Sequence, residues 1–146
     1  MKVTILKPAP GEDEEIIVRA KQLDERVLEL LLSLENEGEK LIGYHGDGSM
    51  SRLDLQEVYY FESVDNRVFA YGKSDVVELK YKLYELEERF RKTHFIRISK
   101  SMILNLSKVE KFKPSGGSRI EAVLENGEKA MISRQYVPDV RRRLGV

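Results

Sequence analysis

The sequence predicts a mainly antiparallel β domain with few helices, preceded by a small ββα segment. Three observations carry that prediction. From Leu41 onward, short alternating or β-branched runs recur every 8 to 12 residues or so, with turn residues between them. A helical period is confined to a few short stretches. The chain has 146 residues and is 41% hydrophobic, which is enough to build a core without covalent staples.

Taken in order, Lys2 to Leu6 alternates as a strand, Pro8-Ala9-Pro10-Gly11 breaks it, and Ile16-Ile17-Val18 reads as a second strand after the acidic run Glu12 to Glu15. Gln22 to Asn36 is a helix: Leu23, Val27, Leu30, Leu31 and Leu34 form one apolar stripe, widened by Leu28 and Leu32, and Gly38 stops it. Two strands and one helix are too few for an independent core, so residues 1–40 must pack on the rest or on a second chain. Residues 41–146 form the main domain. Leu41 to His45 and Ser49 to Leu55 flank Gly46-Asp47-Gly48 as a hairpin. Val58 to Phe61, Arg67 to Tyr71 and Val76 to Leu79 are strands, and Leu83 to Phe90 is a short helix with Leu83, Leu86 and Phe90 on one face. Phe95 to Ile98, Val109 to Lys113, Ile120 to Leu124 and Ala130 to Ile132 are further strands, with Asn126-Gly127 read as a two-residue hairpin turn. Val137 to Leu144 closes the chain as a helical turn or two, with Pro138 near its start.

Composition excludes several functions. With no Cys there is no disulfide, thiolate nucleophile or Cys-based zinc site. His45 and His94 lie far apart with no ligand-like neighbour, so neither a metal nor any other cofactor is expected. Gly46 to Ser49 and Ser115 to Ser118 lack the Lys-Ser/Thr ending of a phosphate loop and read as hairpin turns. Glu12 to Glu15 looks like a solvated turn, and Glu85 to Glu88 like the outer face of a helix. Nothing asks for an enzyme. No apolar run reaches membrane-span length and the N-terminus lacks a signal-peptide core, so a cytoplasmic protein without direct membrane insertion is expected.

Charge is the most informative number. The formal net charge is zero, but residues 1–88 hold 11 Lys and Arg against 20 Asp and Glu, whereas residues 89–146 hold 14 against 5. A basic half is a footprint for a polyanion. Its charges sit at turns and strand ends: Arg97 and Lys100 around Ser99 and Ser101, Arg134 and Gln135 after Ser133, and Arg141-Arg142-Arg143 at the end. An Arg fork grips a phosphate or the O6/N7 edge of guanine, and Ser hydroxyls suit phosphate oxygens.

The run Phe95-Ile96-Arg97-Ile98-Ser99-Lys100-Ser101-Met102-Ile103-Leu104-Asn105 resembles the hallmark Phe-x-Arg-x-x-x-Ser-x-x-x-Asn of the LytTR family of bacterial DNA-binding domains. Tyr59-Tyr60-Phe61-Glu62-Ser63 is similar to the upstream Tyr-Ile-Glu strand, and Tyr84-Glu85-Leu86-Glu87 to the helix before the hallmark. Asn126-Gly127 and Ile132-Ser133-Arg134-Gln135-Tyr136 resemble the closing hairpin and the Ser-Arg-x-Tyr ending. The resemblance spans about Leu41 to Leu144. It implies about ten short, mostly antiparallel strands, and binding by loops, rather than a recognition helix, that enter successive major grooves and bend the duplex.

Carried over by position, the base contacts would come from Asn66, Lys100 and Arg134, and the phosphate contacts from Arg67, Arg97, Ser101, Ser133 and Gln135. Arg134 suits guanine, Asn66 adenine; Lys100 could meet guanine or phosphate, and Arg97 could face phosphate or brace its loop. Asn105 is expected to be structural. Ser99 and Lys100 stand where many members have His and Arg, so site preference is not inherited. Forty residues are too few for a receiver domain, so the chain resembles the short, receiver-less members, some of which are encoded beside small membrane proteins that restrain them. The resemblance thus implies a transcription regulator that binds double-stranded DNA, as a homodimer on paired direct repeats, with a small membrane regulatory protein as a further candidate partner. Two other readings compete: a protein-interaction module using the N-terminal helix and strand edges, and a small-ligand or hydrolytic β protein, which would need a pocket of convergent polar groups.

Overall fold

A computed structural model describes residues 2–36 and 41–146, and the chain divides into two units, 1–39 and 40–146. In the first unit, α1 spans Glu25–Asn36. It starts later than its apolar period suggests because Asp24 caps it: the Asp24 carboxylate accepts the Val27 N–H at 3.1 Å. Leu23, expected on the stripe, precedes the helix and is exposed. The stop expected at Gly38 lies outside the described residues. The two N-terminal strands expected at 2–6 and 16–18 are absent: residues 2–24 contain only turns and irregular backbone, and Val3, Ile5, Leu6, Ile16 and Ile17 are exposed. A strand is held by its ladder partners, and neither stretch finds one. The Pro-Gly break is real, with Gly11 at φ +87° and the Glu12 N–H bonded to the Ala9 carbonyl at 3.0 Å.

The second unit runs β1 (Ile42–Tyr44), β2 (Met50–Arg52), β3 (Tyr60–Val64), β4 (Arg67–Tyr71), β5 (Val76–Leu79), α2 (Leu83–Arg89), β6 (Phe95–Ser99), β7 (Met102–Asn105), β8 (Val109–Ser115), β9 (Arg119–Leu124), β10 (Lys129–Ile132) and α3 (Val137–Leu144), with single 3-10 turns after β2, β7 and β10. Seven strands form one sheet in the order β2-β1-β5-β4-β3-β7-β6, three form a second in the order β10-β9-β8, and every pairing is antiparallel. The mainly β class and the approximate strand number expected from the sequence are borne out.

Strand alternation divides the core in two. On one face of the large sheet Phe61, Phe95 and Ile103 pack with Leu83, Leu86 and Phe90 of the α2 region, and the Phe61, Phe90 and Phe95 rings meet at centroid distances of 4.9–5.4 Å. On the other face Tyr59, Ile96, Ile98 and Leu104 pack with Ala122, Leu124 and Ile132 of the small sheet and Val137 and Val140 of α3. The β6–β7 region is therefore clamped from both sides, a rigid support for whatever its end carries.

Left-handed residues set two of the hairpin turns. The Asp65-Asn66 turn has both residues left-handed, at φ 52° and 63°, and joins the directly opposed Val64 and Arg67, which makes it a two-residue type I′ hairpin. At Asn126-Gly127 only Gly127 has positive φ, and the Leu124 N–H reaches the Glu128 carbonyl at 2.8 Å. That loop has three residues, a type I turn closed by a left-handed glycine, rather than the two-residue turn read from the dipeptide. β7, which the sequence reading merged into the hallmark run, is a separate strand reached through Lys100 and Ser101.

Candidate nucleic-acid interface

Backbone hydrogen bonds bring three separate loops to one end of the second unit. The Ser63 N–H donates to the Ser101 carbonyl at 2.8 Å, tying the end of β3 and its Asp65-Asn66 turn to the β6–β7 turn. The Ser133 N–H donates to the Ile98 carbonyl at 2.9 Å, tying the segment after β10 to the end of β6. The second bond depends on a bulge. Arg97 opposes Ile103 and Ser99 opposes Met102, so Ile98 is an extra residue in β6 and its carbonyl is free of the β7 ladder. Asn66, Lys100 and Arg134, 34 residues apart in each step of sequence, thus lie on neighbouring loops along one rim.

The middle loop is held from below. Arg97, only 16% exposed, donates from Nε to the Ser99 carbonyl at 2.7 Å, from Nη2 to the Lys100 carbonyl at 2.6 Å, and from Nη1 to Glu87 of α2 at 2.8 Å. Of the two roles left open for Arg97, this geometry is that of the brace: three of its N–H groups are spent on the chain itself. The Ser99 hydroxyl accepts the Ser101 N–H at 3.2 Å and lies 3.5 Å from the Ser101 hydroxyl. Lys100 and Ser101 are exposed at the tip, and the Lys100 ammonium has no partner among the described residues.

The third loop separates anchor from free donors. Ser133 gives both its N–H and its hydroxyl to the Ile98 carbonyl, the latter at 3.2 Å, so its single O–H is already used. Arg134 and Gln135 follow in a 3-10 turn, both exposed and without a side-chain partner among the described residues. In the first loop the Asp65 and Asn66 side chains are exposed and without a partner among the described residues. Arg67 is not free. It makes a bidentate pair with Glu78, at 2.6 and 3.2 Å, and its guanidinium sits 5.3 Å from the Phe69 ring centre. The Arg67 hydrogen bond holds the Glu78 carboxyl below its ordinary range, and Glu78 in turn raises Arg67.

Asn105 is structural, as expected from the sequence. It is 2% exposed, donates to the Val58 carbonyl at 2.8 Å, and accepts from the Ser107 N–H and hydroxyl at 3.0 and 2.7 Å. The basic C-terminal run lies on α3, where Arg142 pairs with Asp139 at 2.9 Å and Arg143 donates to the Thr93 and Arg91 carbonyls. His45 meets Ser51 across its hairpin at 2.7 Å. A cleft of about 760 Å³ is lined by residues of α2, β6 and α3. Its charges answer one another (Arg97 with Glu87, Arg91 with Glu88, Arg142 with Asp139), and none is left converging on an empty centre. No group of His and carboxylate side chains among the described residues could hold a metal ion, and no described helix is long and apolar enough to cross a membrane.

The sequence reading missed Glu87 as part of this interface. Its signal was faint: one carboxylate in a helical acidic run that looks like a solvated face.

Comparison with known proteins agrees with this geometry. Residues 48–145 match the family model described as the LytTr DNA-binding domain. Over its whole length the chain is 27% identical to uncharacterized HTH-type transcriptional regulators of Staphylococcus aureus strains MSSA476 and MW2, covering 99% of each. The fold is similar to a solved LytTr DNA-binding domain, from a Bacillus cereus protein described as a methyl-accepting/DNA response regulator: TM-score 0.69, 26% identity, 75% of this chain and all of that one.

Proposed function

The chain belongs to the LytTr DNA-binding domain family, and from that premise we propose that it is a cytoplasmic, sequence-specific transcription regulator reading double-stranded DNA with the three loops of one rim. The DNA-binding regulator is the plain consequence of family and relatives; the use of each loop is our reading. The observation that carries it is the pair of backbone bonds, Ser63 to Ser101 and Ser133 to Ile98, which gather the three loops, two of them with an exposed basic side chain, from distant parts of the sequence.

Arg134, unpartnered, reads guanine in the major groove, and Lys100 contacts guanine or the adjacent phosphate. Asn66 supplies a third contact and suits adenine. Ser101 and Gln135 donate to phosphates, and Arg67 does so in competition with Glu78. Arg97 and Ser133 support their loops from behind rather than touching the duplex. The loops enter successive major grooves and bend the DNA. Two chains occupy paired direct repeats, with α1 and the residues around it serving homodimerisation or a small membrane regulatory partner.

Selection of bound sequences from a random duplex library, followed by titration of the winner across salt, tests this. A repeated motif, with log K falling by about 0.9 per log unit of salt for each phosphate contacted, supports the reading. No binding at low salt overturns it and returns weight to a protein-interaction module.

A further inference from the structure

The three loops do not exhaust the rim. Ile120 of β9 opposes Ile132 of β10, the residue before Ser133, so Arg119 stands one rung further out, beside the Arg134 loop. From there β8 and β9 close through Ser115 and Arg119, which oppose each other around Gly116-Gly117-Ser118. The hairpin end therefore lies at the same end of the unit as the other loops, on its far flank.

Its chemistry suits a polyanion. Residues 111–120 contain Lys111, Lys113 and Arg119, and the one acid set across from them by the β8–β9 register, Glu121 opposite Lys113, is also approached by the Lys129 ammonium at 4.0 Å. Register places these three side chains on one face of the small sheet, opposite the face where Phe112 and Ala122 pack into the core. Lys on β8 has an ordinary explanation, because β8 is an edge strand and edge lysines discourage pairing with another chain. Arg119 has none of that kind: it is on the central strand, exposed, and spends only its Nε–H, on the Gly116 carbonyl at 2.8 Å. Both Nη groups are left facing solvent.

The turn itself is bare. Gly117 needs to be glycine for its φ of +72°. Gly116 does not: its φ is not left-handed, and a Cβ there would meet nothing within 4 Å. The fold gives no internal reason for a missing side chain at that tip, whereas close approach of an outside surface would.

We propose that the β8–β9 hairpin is a fourth duplex-contacting element, in which Arg119, Lys113 and the bare backbone at Gly116-Gly117 grip a phosphate flanking the step read by Arg134. This rests on the duplex-reading function above, and it assigns the hairpin affinity without base preference.

The test compares the full chain with Arg119→Ala, Gly116→Ala and Arg134→Ala on the selected duplex across salt, with thermal midpoints measured alongside. Arg119→Ala is expected to weaken binding several-fold on every duplex and to flatten the salt slope by about one, leaving base preference intact. Gly116→Ala should weaken binding while its thermal midpoint holds or rises. Wild-type affinity and slope in both, with Arg134→Ala still impaired, would overturn the hairpin assignment alone. If Arg134→Ala also binds as wild type, the three-loop reading fails and the hairpin assignment falls with it.

Discussion

Arg97 and Arg134 stand on neighbouring loops and do opposite things. Arg97 is turned inward, with its guanidinium on two carbonyls of its own turn and on Glu87 of a helix beneath. Arg134 is exposed with no side-chain partner among the described residues, and the task of anchoring its loop falls to the backbone and hydroxyl of Ser133. The same residue type is thus scaffold in one loop and, on the function proposed above, reader in the next. A basic residue count does not distinguish them; the presence of an internal acceptor does.

The largest effect should come from breaking the scaffold. Arg97→Ala leaves the Ser99 and Lys100 carbonyls and Glu87 without their donor, and should cost about 2 to 3 kcal/mol of stability by chemical denaturation, with DNA affinity falling as well. Arg134→Ala should do the reverse. It should lose about 2 kcal/mol of binding, concentrated at one base pair, with stability unchanged within about 0.5 kcal/mol. A uniform loss over all duplexes would make Arg134 a phosphate contact instead.

A finer cut is Glu87→Gln, which removes a charge and keeps a hydrogen-bonding oxygen. Stability should fall by about 1 kcal/mol, and DNA affinity should change both through the loosened Arg97 brace and through the lost negative charge, the second part fading as salt is raised. The smallest effect concerns the first loop. Glu78 is held below the ordinary carboxylate range by Arg67, so its contribution to stability is present at neutral pH and is lost as pH falls through its lowered folded value. In an NMR titration Glu78 should protonate below the ordinary carboxylate range, and Arg67→Ala should bring it back up.

Much of the fold was legible in local pattern. β4, β5 and α3 begin and end where alternation and Pro138 place them. β7 was not, because the chain reverses through Lys100-Ser101, a turn with neither Gly nor Asn to announce it. The N-terminal strands failed for the converse reason: alternation at Lys2 to Leu6 is a capacity to pair, and nothing pairs with it. For the interface, the residues themselves were nameable, but their division of labour was not. Arg97 braces through two carbonyls of its own turn, whose orientation no residue pattern announces, and through Glu87 10 residues away; the carbonyl that holds Ser133 lies 35 residues away, on an element it meets only in three dimensions.

The extra residue in β6 carries a last consequence. Because Ile98 stands out of its ladder, the loop after β10 is fastened to the sheet by main-chain atoms, as the β3–β4 turn is through Ser101. The roots of the three loops are therefore held relative to one another by main-chain hydrogen bonds, whatever side chains occupy the tips. On the function proposed above, substitution at Asn66, Lys100 or Arg134 would change which letters an operator must contain. The spacing of those letters would be set by the backbone, so drift in the target would be freer in its spelling than in its spacing.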